Sequence, residues 1–295
     1  MATPETFTIS ARDGYPLSAL HLPAHGNPRG AIVFGSGTGF KKEFYLKFST
    51  YLAQQGYGVL LFDYRGVAGS APAKLKGFYA RQFQWGQEDL GAAWDWMIQQ
   101  YPTVPHIHMG HSMGGMISGM YDQPEKLHGY IFIASGSPNW RFITWPSRIM
   151  VWLLFHVMGP LSTRIMGYFP SPWFGLGQPL PAEVGLDWGR WSKSKTFLNK
   201  FFGKEIPVNH YEKVTAPIHA FLIEDDKLAT VRGREQLLEL FSQAPKKRHL
   251  IDQNMAQGRK VGHHGLFSSK HQESLWPIFT QTLEEIITTQ KSPSL

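Results

Sequence analysis

The stretch His106-Ile107-His108-Met109-Gly110-His111-Ser112-Met113-Gly114-Gly115 decides how the rest of the chain is read. It has the pattern of a short strand, a G-x-S-x-G turn and the start of a helix, with Ser112 at the apex. A serine hydroxyl is a weak nucleophile. A chain that uses one must hold it clear of its neighbours, beside a base and an anion-stabilising site. Gly110 and Gly114 serve that geometry, because in so sharp a turn a Cβ two places before or after the serine would clash. The following helix would aim its free N–H groups and positive dipole end at the place where an oxyanion forms. Such a pentapeptide occurs by chance in glycine-rich chains, so the flanking sequence decides.

Upstream of the turn, Gln87 to Gln99 carries Leu90, Trp94 and Met97 on one helical stripe and leads into the strand before Ser112. Further back, Tyr57 to Tyr64 and Ala31 to Phe34 are continuous apolar runs of the kind found in strands buried on both faces. Between them Glu43 to Gln55 places Phe44, Phe48, Tyr51 and Leu52 at helical spacing, with Gly56 as a stop. Strand, helix and strand in this order predict a right-handed parallel crossover. Thr6–Ala11 and Leu17–Leu22 read as an opening hairpin around Asp13-Gly14. Downstream come a strand at Gly129–Ser135, a strand at Ile218–Ile223 running into Asp225-Asp226, and a helix near Arg232–Phe241. A strand at Lys247–Ile251, the loop Gly262-His263-His264-Gly265 and a closing helix from about Ser274 to Thr289 complete the chain; Pro277 is tolerable in that helix's first turn. The alternation predicts an α/β fold with a mostly parallel, doubly wound sheet covered by helices on both faces.

The pattern is interrupted between Pro138 and Glu205. This segment holds six of the ten tryptophans (Trp140, Trp145, Trp152, Trp173, Trp188 and Trp191), several Pro and Gly breaks and no clear strand. It reads as an inserted helical cap over residues 138–205, dividing a core of residues 1–137 and 206–295. Eight Lys and Arg against three Asp and Glu put +5 of the chain's +7 there. The most apolar run, Ile149 to Leu161, is thirteen residues long and contains His156. It is short of the roughly 20 needed to cross a bilayer, so it is expected to be a buried or lid helix.

A serine nucleophile needs a base, and the base needs an acid to orient it; in such a sheet these groups gather at the C-terminal ends of the strands. Asp225 and Asp226 both follow an apolar strand, and His263 and His264 both lie in the late loop, so the residues leave each pair open. The motifs Gly110-His111-Ser112-Met113-Gly114-Gly115, Asp63-Tyr64-Arg65-Gly66 and Gly262-His263, in that order, resemble the α/β-hydrolase superfamily. Within it the chain is similar to the serine hydrolases that include monoacylglycerol lipases and the serine aminopeptidase family. Gly37-Thr38-Gly39, Phe44-Tyr45, Gly167-Tyr168-Phe169-Pro170 and Trp188-Gly189-Arg190-Trp191 resemble a group of uncharacterised bacterial predicted hydrolases. The resemblance implies an α/β-hydrolase fold in which Ser112 attacks a carbonyl, His263 is the base and then the acid, and Asp226 orients it. The resemblance, with Leu228 two places on, favours Asp226 over Asp225. It also implies an oxyanion hole from the Met113 N–H and one in the Gly37-Thr38 loop, at Thr38. Two positions depart from the pattern. Ala68 stands where a glycine is expected after Arg65, and the loop after Phe34 lacks the usual His-Gly pair.

His106, His108 and His111 also resemble an H-x-H-x-x-H metal pattern, but no carboxylate accompanies them and strand packing explains them better. With no cysteine, disulfides and thiolate chemistry are excluded. Met1-Ala2-Thr3-Pro4-Glu5-Thr6 shows no basic or apolar leader, so a cytoplasmic placement is expected. The basic residues form no dense tract, which argues against nucleic acid as a partner. The expected activity is hydrolysis of a carboxylic ester through an acyl-enzyme, without metal or organic cofactor. An amide, a thioester or acyl transfer would use the same groups, and a binding protein on this scaffold is the reading from another class. Because the cap is both aromatic and basic, the substrate is expected to be a small lipophilic acyl compound. It would either carry a negative group or be met at an anionic surface in transient contact with the cap. The sequence leaves oligomeric state open.

Overall fold

A computed structural model describes residues 4–291; Met1–Thr3, on which the reading of the leader partly rests, lie outside the described residues. The strands before the insertion are β1 (Glu5–Ser10), β2 (Pro16–Leu22), β3 (Gly30–Gly35), β4 (Tyr57–Phe62), β5 (His106–His111) and β6 (Gly129–Ile133). Two short strands, β7 (Tyr168–Phe169) and β8 (Leu180–Pro181), lie within it, and β9 (Ile218–Ile223) and β10 (Lys246–Ile251) follow. Eight of them form one sheet in the order β1-β2-β4-β3-β5-β6-β9-β10. The β1–β2 and β2–β4 pairs are antiparallel, and β4 through β10 run parallel. The chain therefore has the α/β-hydrolase architecture, with the opening hairpin on one edge.

The continuous apolar runs are continuous because helices cover both faces: every residue of β3, β4, β5, β6 and β9 is buried. Alternate side chains then divide into two cores. Ile32, Phe34, Val59, Leu61 and Met109 pack with Phe48 and Leu52 of α1 (Leu46–Gln54), and the closing helix joins them. Val33, Leu60, Phe62 and Phe132 pack on the other face with Trp94 and Met97 of α2 (Leu90–Gln100). The edge strand β10 is largely exposed and carries Lys246, Lys247 and Arg248, charges that discourage pairing with another sheet.

Two sequence expectations change. The helix after Ser112, α3 (Met113–Met116), is a single turn that gives way to a tighter 3-10 turn at Ser118–Met120. Gly114, Gly115 and Gly119 each weaken a helix by about 1 kcal/mol, so the long dipole expected from the motif is reduced to individual N–H groups. In the insertion, the apolar run belongs to a longer helix, α4 (Ser147–Met166), of 20 residues. It contains a π-helical turn at Leu154–Met158, where the Gly159 N–H bonds the Leu154 carbonyl. That wider turn accommodates Pro160, whose missing N–H would otherwise end the helix.

The insertion continues through β7, β8 and α5 (Ala182–Lys193), and the core resumes with α6 (Val231–Leu238) and α7 (Trp276–Lys291). The β7–β8 ladder is only two residues per strand, too short to leave an alternating pattern in the sequence. The insertion's Leu154, Phe155 and Trp191 join the core on the α2 side of the sheet. The Asp187 carboxylate grips Arg81 through two hydrogen bonds of 2.7 and 2.9 Å.

Candidate active site

Ser112 stands at the end of β5 with φ 50° and ψ −111°, a conformation that costs a non-glycine residue about 1–3 kcal/mol. The cost is met by packing that allows no other path. A Cβ at Gly114 would overlap the Gly35 backbone at the end of β3, and one at Gly110 would overlap Gly114 and Gly115. The turn is thus wedged against the neighbouring strand, with its apex facing the insertion.

His263 Nε2 lies 3.0 Å from Ser112 Oγ, and His263 Nδ1 lies 2.7 Å from Asp226 Oδ2. The Asp226 side chain is fully buried, and its other oxygen accepts the Leu228 and Ala229 N–H groups at 2.7 and 3.2 Å. With Asp226 accepting at Nδ1, the Nδ1–H tautomer leaves Nε2 free to accept the serine proton. Asp225 points elsewhere. Its two oxygens accept the Gly262 and Val261 N–H groups at 2.7 and 3.1 Å, pinning the loop that carries His263. His264 turns away as well and packs beside Phe40 and Phe44.

Met113 opens α3, so its N–H has no intrahelical acceptor. In the loop after β3, the Gly37 N–H donates to the Tyr45 hydroxyl at 2.9 Å and is thereby occupied. Thr38, the position expected to supply a second N–H, is mostly buried beside it.

The sequence did not single out the hydrogen-bonded chain that joins these loops. His111 Nε2 lies 2.9 Å from the His263 carbonyl, which can only accept, so Nε2 carries the proton. His111 Nδ1 then accepts from the Tyr45 hydroxyl at 2.8 Å, and that hydroxyl accepts from Gly37. Burial, reinforced by His263 and His264, keeps the His111 imidazole well below its ordinary pKa and hence neutral, as this polarity requires. One unbroken sequence of donors thus links the loop after β3, the serine turn and the histidine loop. The signal was present only as the pair Phe44-Tyr45 and as a histidine next to the serine; neither reveals its partner before folding.

The three histidines of the H-x-H-x-x-H pattern do not converge. His106 Nε2 meets the Tyr101 carbonyl at 2.9 Å, His108 Nε2 meets the Gly114 carbonyl at 3.0 Å, and His111 is engaged as described. Among the described residues no three His, Asp or Glu side chains gather as metal ligands.

Ser112 and His263 open onto a cavity of about 330 Å³. Its other walls come largely from the insertion: Ile143, Met150, Val151, Leu154, Phe155, Met158, Trp173, Phe174 and Trp188, with Met116 and Leu228 from the core. The lining contains no lysine, arginine, aspartate or glutamate. Such a site can hold an apolar group against a serine and histidine.

The doubly wound sheet with a serine turn after its fifth strand makes the chain an α/β-hydrolase. Within that superfamily, residues 26–171 match the model of the family described as serine aminopeptidase, S33. No curated protein sequence matches it. Among solved structures, it is similar to a soluble variant of monoglyceride lipase from Saccharomyces cerevisiae in complex with a substrate analog. The TM-score is 0.69 at 17% identity, covering 97% of this chain and 96% of that one. A thermostable carboxyl esterase from Bacillus coagulans in complex with glycerol gives 0.64 at 16% identity, covering 97% and 100%. A monoacylglycerol lipase from Paleococcus ferrophilus gives 0.60 at 14%, covering 92% and 99%. At these identities the likeness is one of fold.

Proposed function

We propose that the protein is a serine hydrolase that cleaves a carboxylic ester with a lipophilic acyl chain through an acyl-enzyme. The observation that carries this reading is the line Asp226–His263–Ser112, at 2.7 and 3.0 Å, on the floor of an apolar cavity. His263 Nε2 takes the hydroxyl proton as Ser112 Oγ attacks the ester carbonyl. The tetrahedral oxyanion is received by the Met113 N–H and by an N–H at Thr38, each worth on the order of 3 kcal/mol. The proton passes from His263 to the departing alkoxide. Water, deprotonated by the same imidazole, then attacks the acyl-serine and releases the acid. Nucleophile, base and oxyanion donors all come from the chain, and no step calls for a metal or organic cofactor.

The cavity wall also argues against one alternative, an aminopeptidase. An aminopeptidase must hold a free α-ammonium group, and the lining offers no carboxylate to pair with it. It offers no cation for an anionic substrate either, so the part of the substrate that enters is neutral and apolar. The volume falls in the range of small-molecule sites, about 300–1,000 Å³. A substrate analog in the yeast neighbour and glycerol in the Bacillus one are consistent with a small acyl substrate.

The test is labelling with an alkyl fluorophosphonate, in which Ser112 Oγ displaces fluoride from phosphorus, followed by a panel of p-nitrophenyl esters of rising chain length. Labelling is expected in the wild type and absent in Ser112→Ala, with kcat/KM rising from acetyl to medium-chain esters. An unlabelled, folded wild type would return the protein to the binding-protein reading. A preference for acetate would remove the lipophilic chain from the proposal.

A further inference from the structure

The most apolar window of α4 has a mean hydropathy of 1.4, yet only 28% of it is buried. Its inner side, with Val151, Leu154 and Phe155, walls the Ser112 cavity. Its outer side presents Ile149, Leu153, Val157, Leu161 and Ile165, one every four residues, each between 39% and 70% exposed. A spacing of four drifts by about 40° per step on a regular α-helix. The π-helical turn at Leu154–Met158 lowers the rotation per residue and so keeps the five side chains on one ridge. Single exposed aliphatics are ordinary, whereas a contiguous ridge of this length marks an interaction site.

The ridge is continuous with the active site. Met150, Met158 and Trp173 are exposed to solvent and line the cavity as well. Its charge is one-sided: α4 contains Arg148 and Arg164 and no carboxylate. Among the described residues neither arginine forms an ion pair, while two of the insertion's three carboxylates, Glu183 and Asp187, are held by Arg190 and Arg81. A second copy docked on this ridge by a two-fold axis would set these unpaired cations against one another. An anionic lipid surface complements them. Length alone would allow α4 to cross a bilayer. Its inner side, however, is committed to the cavity wall, with Phe155 packed on Trp188 of α5 at 5.0 Å.

We propose that this face docks on an anionic lipid bilayer. Helix α4 lies in the plane of the interface with its aliphatic ridge among the acyl chains and Arg148 and Arg164 at the phosphates. The mouth formed by Met150, Met158 and Trp173 then faces the membrane, so a lipophilic ester reaches Ser112 without crossing water. This entry route rests on the ester-hydrolase reading; the docking does not.

The experiment is sedimentation of the full chain, as Ser112→Ala, with vesicles of phosphatidylcholine alone or mixed with phosphatidylglycerol. Partitioning is expected to be about tenfold higher on the anionic vesicles and to fall with added salt. The double variant Leu161→Asp with Ile165→Asp, at positions outside the cavity, is expected to lose binding by at least about tenfold in the Ser112→Ala background, while with Ser112 intact it melts and labels with fluorophosphonate in solution like the wild type. Arg164→Gln should reduce only the preference for phosphatidylglycerol. Absence of binding to either vesicle, or equal binding by the double variant, overturns the proposal. So does a concentration-dependent dimer that the double variant dissolves, which would make a second copy the occupant. Because vesicle binding is read on Ser112→Ala and the serine is read by labelling, failure of one leaves the other result standing.

Discussion

Asp225 and Asp226 are adjacent in sequence and differ in what they hold: one accepts the backbone of the histidine loop, the other the histidine ring. Asp226→Asn leaves the imidazole in the wrong tautomer and is expected to lower kcat by about 10³–10⁴, with the protein still folded. Asp225→Asn keeps one acceptor of two. It should cost about 1–2 kcal/mol of stability and change kcat by less than about tenfold. Parallel ester assays and urea melts of the two variants check this, and the reverse ranking would exchange the assignments. Tyr45 is the second residue-scale test. Tyr45→Phe keeps the ring among Phe34, Phe44 and Phe267 but leaves the Gly37 N–H and His111 Nδ1 unpaired in a buried place. A loss of about 2–5 kcal/mol is expected, with slower acylation by fluorophosphonate, because the loops on either side of Ser112 lose their common tie. Wild-type melting and labelling rates would show the hydroxyl to be dispensable. The sequence disclosed Ser112 by its turn and narrowed acid and base to two pairs by their place after strands. The resemblance, with Leu228 two places on, favoured Asp226 over Asp225; what physically separates the two, and what makes Tyr45 matter, is tertiary contact.

At the scale of the element, the serine turn and α4 were legible to different degrees. G-x-S-x-G names both glycines, yet the reason for Gly114 lies in β3, whose Gly35 backbone occupies the space a side chain would need. Backbone cannot swing aside as a side chain can. Gly114→Ala is therefore expected to destabilise by at least about 3 kcal/mol or to prevent folding, whereas a methyl facing flexible side chains costs less. Far-UV circular dichroism and a denaturant melt decide it; a folded variant within 1 kcal/mol or so of its parent would mean that β3 and the turn can separate. Helix α4 was read only as the thirteen-residue apolar run Ile149 to Leu161, which ends where Ser162, Thr163 and Arg164 begin. The helix runs on to Met166, and Gly159 and Pro160 are carried through by the π-helical turn, a device set by hydrogen-bond geometry that apolar periodicity does not record. Strands β3, β4 and β6, in contrast, were visible as apolar runs because burial on both faces leaves no polar position to interrupt them, whereas β5, with three histidines, was legible from the turn that follows it.

For the molecule as a whole, the burial that shapes β5 sets its response to acid. His108 lies in the middle of the sheet, fully buried, and burial pushes its pKa down to about 4 from an ordinary 6.5. His111 is lowered in the same direction by burial and by His263 and His264. In the unfolded chain both titrate near 6.5, so as pH falls below that value the unfolded state takes up protons that the native state refuses. Stability present above pH 6.5 is then lost progressively, for His108 down to about pH 4, at about 1.4 kcal/mol per pH unit for each histidine. The carboxylates with lowered pKa work in a separate window. Asp13, paired with Arg65, and Asp122, paired with Arg12, start from 3.8 and lose their contribution only below it. Denaturant melts between pH 7 and 4.5 should therefore show a loss of about 2–3 kcal/mol between pH 6 and 5 from His108 and His111 together, to which His106, lowered in the same direction by burial, adds. His108→Gln should flatten that slope by about one proton, whatever it does to the absolute stability. A stability that stays level from pH 7 to 5 would mean that β5 opens to water far more readily than its packing implies.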